Sequence, residues 1–187
     1  AQPALGGQVS RALLDLRRAA RPHLEELARS SGETALLGVL RGGHAVYVDK
    51  VVSTNEVRLD PPLGAPRPLN CTAIGKVLLA HVSGQEFAEL AASGVFEAST
   101  DRAVVEPVRL ERMLARVRGE DLATDLEEFV SGAMCVAAPV RDHEGSVVGA
   151  VNVSGPAERM REKQADHARR VRDAARAISQ ALGHRGS

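Results

Sequence analysis

Two pairs of apolar, partly β-branched runs, each pair joined by a short polar turn, constrain this chain more than any other feature. Ala35 to Leu40 and Ala45 to Val52 flank Arg41-Gly42-Gly43-His44, and Met134 to Val140 and Val147 to Val153 flank Asp142-His143-Glu144-Gly145. Turns of this kind fold such runs back on themselves as hairpins. Parallel partners would need a crossover of about a dozen residues or more, so the pairing is antiparallel. Shorter strand-like runs at Glu56 to Leu59 and Leu122 to Leu126 bring the expected sheet to about six strands.

The remaining segments carry helical spacing. Val9, Leu13, Leu16, Ala20, Leu24 and Leu27 fall at steps of three and four, the spacing of one helical face. Pro22 lacks a backbone donor, so it starts a second helix near residue 22 or kinks a continuous one, with the end near Gly32. Ala73 to Ala80 reads as a helix, and Ser83-Gly84-Gln85-Glu86 has the capping-box form that opens another, ending near Ala92 before Gly94. Pro107 suits the first turn of a helix with Val108, Leu110, Met113, Leu114 and Val117 inward and Gly119 at its end. After Gly155-Pro156, Val171, Ala175, Ile178 and Leu182 mark a closing amphipathic helix. The prolines of Pro61 to Pro68 argue for an extended loop outside the sheet. Elements in this order define an α/β (α+β) domain, one antiparallel sheet flanked by helices, with a cavity where the central loop and helices cross a sheet face.

Composition narrows the function. A length of 187 residues suits one domain, able to bury about 70% of its unfolded surface. The 24 basic and 24 acidic residues cancel, so no uniform field attracts nucleic acid or an anionic membrane. With no Trp, one Tyr and three Phe, the stacking platforms of single-strand binders are nearly absent. Cys71 and Cys135 are far apart and outside any Cys/His cluster, which predicts neither a disulfide framework nor a metal site and fits a reducing compartment. No apolar run approaches the roughly 18 residues of a membrane helix, so a cytoplasmic chain is expected.

Three stretches carry the chemistry. In "NCTAIGKVLLAH" the Gly-Lys pair lacks the earlier Gly and the following Ser/Thr of a nucleotide phosphate loop, since Asn70 and Val77 occupy those places. Thr72 can instead cap the helix, leaving the amides of Ala73, Ile74 and Gly75 and the positive end of the helix dipole for a small anion, or it is an ordinary N-cap. In "TDLEEFVSGAMCVAAPV", Asp125, Glu127 and Glu128 precede Cys135, which with Val136 and Ala137 beside it reads as a small buried hydrophobe before a nucleophile. In "VGAVNVSGP", alternation sets Asn152 and Ser154 on one sheet face and Val151 and Val153 on the other, so the polar pair meets water or lines a pocket.

Taken together, "RPHLEELARSSGETALLGVL", "AVYVDKV", "LNCTAIGKVLLA", "DLEEFVSGAMCVAAPVRDHEGSVVGAVNVSGP" and the closing helix resemble the effector-binding domain of IclR-type bacterial transcription regulators, from about residue 11 to 183. The resemblance implies a GAF-like or profilin-like fold that binds a small organic acid and controls a separate winged-helix DNA reader. It implies a ligand among Ala73, Ile74, Asp125, Cys135, Asn152 and Ser154, beside Thr72 and Gly75 of the helix entry. Asp125 would serve a ligand hydroxyl, a bound water or the backbone of the pocket loop, and the proline-rich loop would be the moving part. Residues 1–20 would be the linker helix from the DNA reader and 21–187 the effector domain, in a homodimer or homotetramer with no cofactor. Asn152 departs from the family, where Ser is frequent, which alters ligand shape. Few aromatics lean the expected ligand toward a small aliphatic acid. The alternatives are an oligomerisation module without ligand and an enzyme acting on small acids through Cys135 or Asp125.

Overall fold

The computed structural model describes residues 4–186, with side chains from Arg11 onward. A single helix, α1 (Ala4–Ser31), runs through Pro22. Of the two readings of Pro22 the continuous helix is the one present, with Leu16 and Ala20 before the proline and Leu24, Leu27 and Ala28 after it packed in the same core layer. Val9, expected on this face, has its side chain outside the described residues. Gly32 ends the helix in the left-handed region, its amide bonded to Ala28 O at 2.9 Å.

The strands β1 (Thr34–Arg41), β2 (His44–Val51), β3 (Pro66–Arg67), β4 (Ala123–Leu126), β5 (Ala133–Arg141) and β6 (Val147–Pro156) form one antiparallel sheet in the order β3-β2-β1-β6-β5-β4. Both hairpins form as read from the turns. The expected strand at 56–59 does not, and the sixth strand comes from the proline-rich loop, where Pro66 and Arg67 pair with Val46 and Ala45. Prolines that would break a central ladder are tolerated on this edge, where the missing donor has no partner strand to serve.

Helices α2 (Ala73–Ala80), α3 (Gly84–Ser93), α4 (Pro107–Glu120), α5 (Ala157–Glu162) and α6 (Gln164–Ala181) complete the fold. The short α5 was not visible in the sequence pattern, which runs directly from Gly155-Pro156 to the closing helix. α4 continues through Gly119 and stops where Asp121 takes φ 48°. One core layer lies between the sheet and α1, α5 and α6, filled by Leu37, Val136, Val151, Val153, Met160 and Ile178. The second lies under α2 and α4, with Leu36, Tyr47, Ile74, Leu114, Cys135, Ala137 and Ala150. Alternation along β5 and β6 assigns their residues to these two layers, as the sequence pattern requires.

A bulge in the β1–β2 ladder decides where Tyr47 goes. Leu37 pairs with Asp49 and Gly38 with Tyr47, so Val48 is the extra residue. Tyr47 therefore turns to the α2 layer, while Asp49 meets Arg21 of α1 at 3.1 Å. Gly38 makes room for this: a Cβ there would lie 2.6 Å from Ile74 Cγ2 and 3.4 Å from Tyr47 Cδ1.

Candidate ligand-binding cavity

Asp125, Cys135, Ser154 and Thr34 are successive cross-strand partners on β4, β5, β6 and β1, one row across the α2 side of the sheet. Residues directly opposite in adjacent strands have Cβ atoms about 4.5–5.5 Å apart, so residues distant in sequence become neighbours. Above the row lies a cavity of about 260 Å³ lined by Asp125, Cys135 and Ser154 with Tyr47, Leu59, Asp60, Pro61, Arg67, Phe129, Val130 and Ala133. Thr34, last in the row, donates its hydroxyl to Leu59 O at 2.6 Å and so ties one wall in place.

Each polar group of the floor has a distinct environment. Cys135 Sγ and Ser154 Oγ are 2.6 Å apart. Burial, aided by the charge of Asp125, pushes the Cys135 thiol up to about 12, which keeps it protonated and suits it to hydrogen bonding and packing more than to attack. Asp125 Oδ1 accepts from the amides of Glu128 at 2.7 Å and Phe129 at 3.4 Å, so this carboxylate shapes the loop between β4 and β5. Of the three roles open to Asp125 from sequence, the loop-backbone contact is therefore present. Burial raises its carboxyl to about 6 despite those amides and the charge of Lys76.

The sequence-derived site residues divide into two groups. Asp125, Cys135 and Ser154 share the cavity, whereas Thr72, Ala73, Ile74, Gly75 and Asn152 do not line it. Gly75 N is not free for an anion, because it donates to Thr72 Oγ1 at 3.1 Å, and Thr72 Oγ1 in turn donates to Pro68 O at 2.7 Å. Asn152 sits one row along, between Ala137 and Leu36, buried, with both amide atoms unpartnered among the described residues.

The Gly-Lys pair has a structural explanation. A Cβ on Gly75 would come within 2.6 Å of Pro68 O and 2.7 Å of Leu69 Cα, so only glycine lets the incoming loop pack on α2. Lys76 runs through the core to Glu128 Oε1 at 2.6 Å and to Thr124 O, pinning the β4–β5 loop.

Sequence reasoning missed Arg67, Tyr47 and Phe129. Arg67 stands on the edge strand β3, half-buried, with its guanidinium carbon 5.8 Å from the Tyr47 ring centroid and 5.3 Å from that of Phe129. Its Nε is buried without a partner, and it takes part in none of the ion pairs among the described residues. Two of the four aromatic residues thus line the cavity, which removes the argument from composition for an aliphatic ligand. The only sequence signal for Arg67 was a lone cation between two prolines.

The chain is thus a six-stranded antiparallel sheet with helices on both faces and a small polar-floored cavity on one of them. The sequence matches the family "Bacterial transcriptional regulator IclR C-terminal" over residues 9–180, and the chain belongs to that family. It is 38% identical over 172 residues to the glycerol operon regulatory protein of Streptomyces coelicolor, covering 90% of this chain and 67% of that relative. It is 34% identical over 163 residues to the transcriptional repressor AllR of Klebsiella pneumoniae, covering 87% and 60%. The chain thus spans about two thirds or less of the length of these curated relatives. Among solved structures, the C-terminal domain of the E. coli transcriptional regulator KdgR superposes with a TM-score of 0.81 at 33% identity, covering 91% of this chain and 99% of that one. Among the described residues, no helix is long and apolar enough to cross a membrane, and no group of three His, Cys, Asp or Glu is placed to hold a metal ion.

Proposed function

We propose that this domain senses a small organic acid for a cytoplasmic transcription regulator and governs operator binding by a DNA-reading domain elsewhere in that protein, within a homodimer or homotetramer. The observation that carries the reading is the row Asp125, Cys135, Ser154 opening onto a cavity that the unpaired cation Arg67 also lines. Its size, about 260 Å³, lies below the roughly 300–1,000 Å³ of sites for drug-sized ligands and suits a metabolite. The formal net charge of zero supports leaving phosphate contacts to another domain. Relatives named as a glycerol operon regulator and as the repressor AllR support the regulatory role.

A ligand shifts such a regulator only by binding one arrangement better than the other, and a coupling of about 1–3 kcal/mol is sufficient. The segment that can carry this change is the loop of residues 61–68, because it brings Pro61 and Arg67 to the cavity and ends on a two-residue edge strand. Calorimetry of the chain with glyoxylate, pyruvate, aromatic acids and acyl derivatives tests the reading. Saturable binding of at least one, weakened by Ser154→Ala, is the expected result. Absence of binding to all of them would favour an oligomerisation module, and turnover of any would favour an enzyme.

A further inference from the structure

Resting on that reading of the cavity, we infer that the site selects a monocarboxylate that also carries a hydrogen-bond donor, a hydroxyl or an ammonium, with Arg67 holding the carboxylate and Asp125 receiving the donor. The inventory of the lining leads there. Cys135 and Ser154 are engaged with each other, and Asp60 is bonded to Lys50 Nζ at 2.5 Å. Leu59, Pro61, Val130 and Ala133 offer only side-chain hydrocarbon. Beside the neutral hydroxyl of Tyr47 and the one proton that the Cys135–Ser154 pair can still donate, Arg67 and Asp125 are the charged groups left, the one a cation without a counter-ion, the other a carboxylate whose backbone bonds all fall on Oδ1.

The two charges act in opposite senses on a ligand. A carboxylate gains charge-assisted bonds from the guanidinium, whose planar fork matches two oxygens, and the rings of Tyr47 and Phe129 hold that fork in orientation. The same anion is repelled by Asp125, the more so in a largely buried site. A hydroxyl or ammonium placed toward Asp125 turns the repulsion into a bond, whereas a second carboxylate there doubles it. Burial leaves the Asp125 carboxyl easy to protonate, near 6, so even a plain acid can bind once the pH is low enough. Arg67 accordingly supplies affinity for acids in general, and Asp125 discriminates among them.

The test is calorimetry of this chain at pH 7.5 with two matched sets of probes: butyrate, 3-hydroxybutyrate, 4-aminobutyrate and succinate, then benzoate, 3-hydroxybenzoate, 3-(aminomethyl)benzoate and isophthalate. Within at least one set, the donor-bearing acids should bind about ten- to a hundredfold more tightly than the plain acid, the yield of one charge-assisted bond, and the diacid most weakly. Asp125→Asn should reverse the order, with the diacid gaining and the ammonium acid losing, a gain that a misfolded variant would not give. Arg67→Gln should weaken every acid. Binding that ignores the donor, or an Asp125→Asn variant that weakens all probes alike, overturns the assignment while leaving acid sensing in place. Binding of no probe in either set overturns both.

Discussion

Cys135 Sγ and Ser154 Oγ face each other across the β5–β6 ladder at 2.6 Å, two residues nineteen apart in the chain joined as cross-strand partners. Their mutual bond occupies one of the pair's two protons, so one donor and a hydroxyl lone pair stay available to a ligand. It also places the thiol in a layer of Ala137, Ala150 and Tyr47, where an unpaired hydroxyl would be costly. The Cys135–Ser154 part of the floor is thereby neutral, and charge reaches the cavity from Asp125 on β4, Arg67 on β3 and Asp60, which is bonded to Lys50.

Asp125 gives stability a pH dependence of definite sign. Its ordinary value is 3.8 and its folded value about 6, raised by burial against the Glu128 and Phe129 amides and Lys76. Between those values the folded chain keeps a proton that the unfolded chain releases, so stability falls as pH rises through the window and then levels. Relative to Asp125→Asn, the wild-type chain should lose on the order of 2–3 kcal/mol between pH 4 and 7. Urea unfolding of both at pH 4.5 and 7.5 measures it. Parallel curves would show that the carboxyl titrates normally.

Gly75→Ala should destabilise the fold although alanine favours helices. The helical gain is about 1 kcal/mol. Against it, the new Cβ would meet Thr72 Oγ1 at 2.5 Å, Pro68 O at 2.6 Å and Leu69 Cα at 2.7 Å, and two of those three atoms are backbone that cannot swing away. Overpacking of this kind costs about 1–3 kcal/mol, more where relaxation is blocked, so a lower Tm is expected. A higher Tm would contradict the close approach.

How much of this was legible follows from the range over which each feature is determined. The hairpins and the faces of β5 and β6 were readable because turn residues and two-residue alternation are local. Asp125, Cys135 and Ser154 were named from separate stretches, and the sheet register joined them. Tyr47 was out of reach, since a bulge at Val48 sets its face and nothing in "AVYVDKV" announces it. Arg67 was missed for the opposite reason: its prolines argued correctly against a central strand, and only the tertiary position at the sheet edge made a strand there possible. The entry of α2 was misread in one respect, because from sequence an N-cap that keeps Gly75 N looks the same as one that leaves its neighbours free.

Lys76 and Glu128 form a buried pair whose parts are worth less alone than together. Lys76 is 2% exposed, and Glu128 Oε2 is buried with no partner, so the pair already carries an unmet acceptor. Lys76→Met would strand the carboxylate and should cost about 3–5 kcal/mol. Adding Glu128→Gln removes the stranded charge and should recover more than half of that loss. A double variant less stable than Lys76→Met in chemical denaturation would mean the two side chains are not coupled.

His167 on α6 should make the domain acid-sensitive. It is 1% exposed, and neither ring nitrogen has a partner among the described residues. Burial lowers its proton affinity below the ordinary 6.5, outweighing the attraction of Glu33 and Asp166. The unfolded chain therefore takes up a proton below pH 6.5 that the folded chain resists, and stability falls as pH drops from there toward the folded value. This slope opposes that of Asp125, so the pH profile of the wild-type chain alone cannot separate them. His167→Leu keeps a similar volume and deletes the titration, so its Tm advantage over the wild-type chain should widen steadily as pH falls from 7.5 to 5. An advantage that stays constant with pH would show that the folded and unfolded chains bind this proton equally well, so that burial leaves the imidazole unshifted.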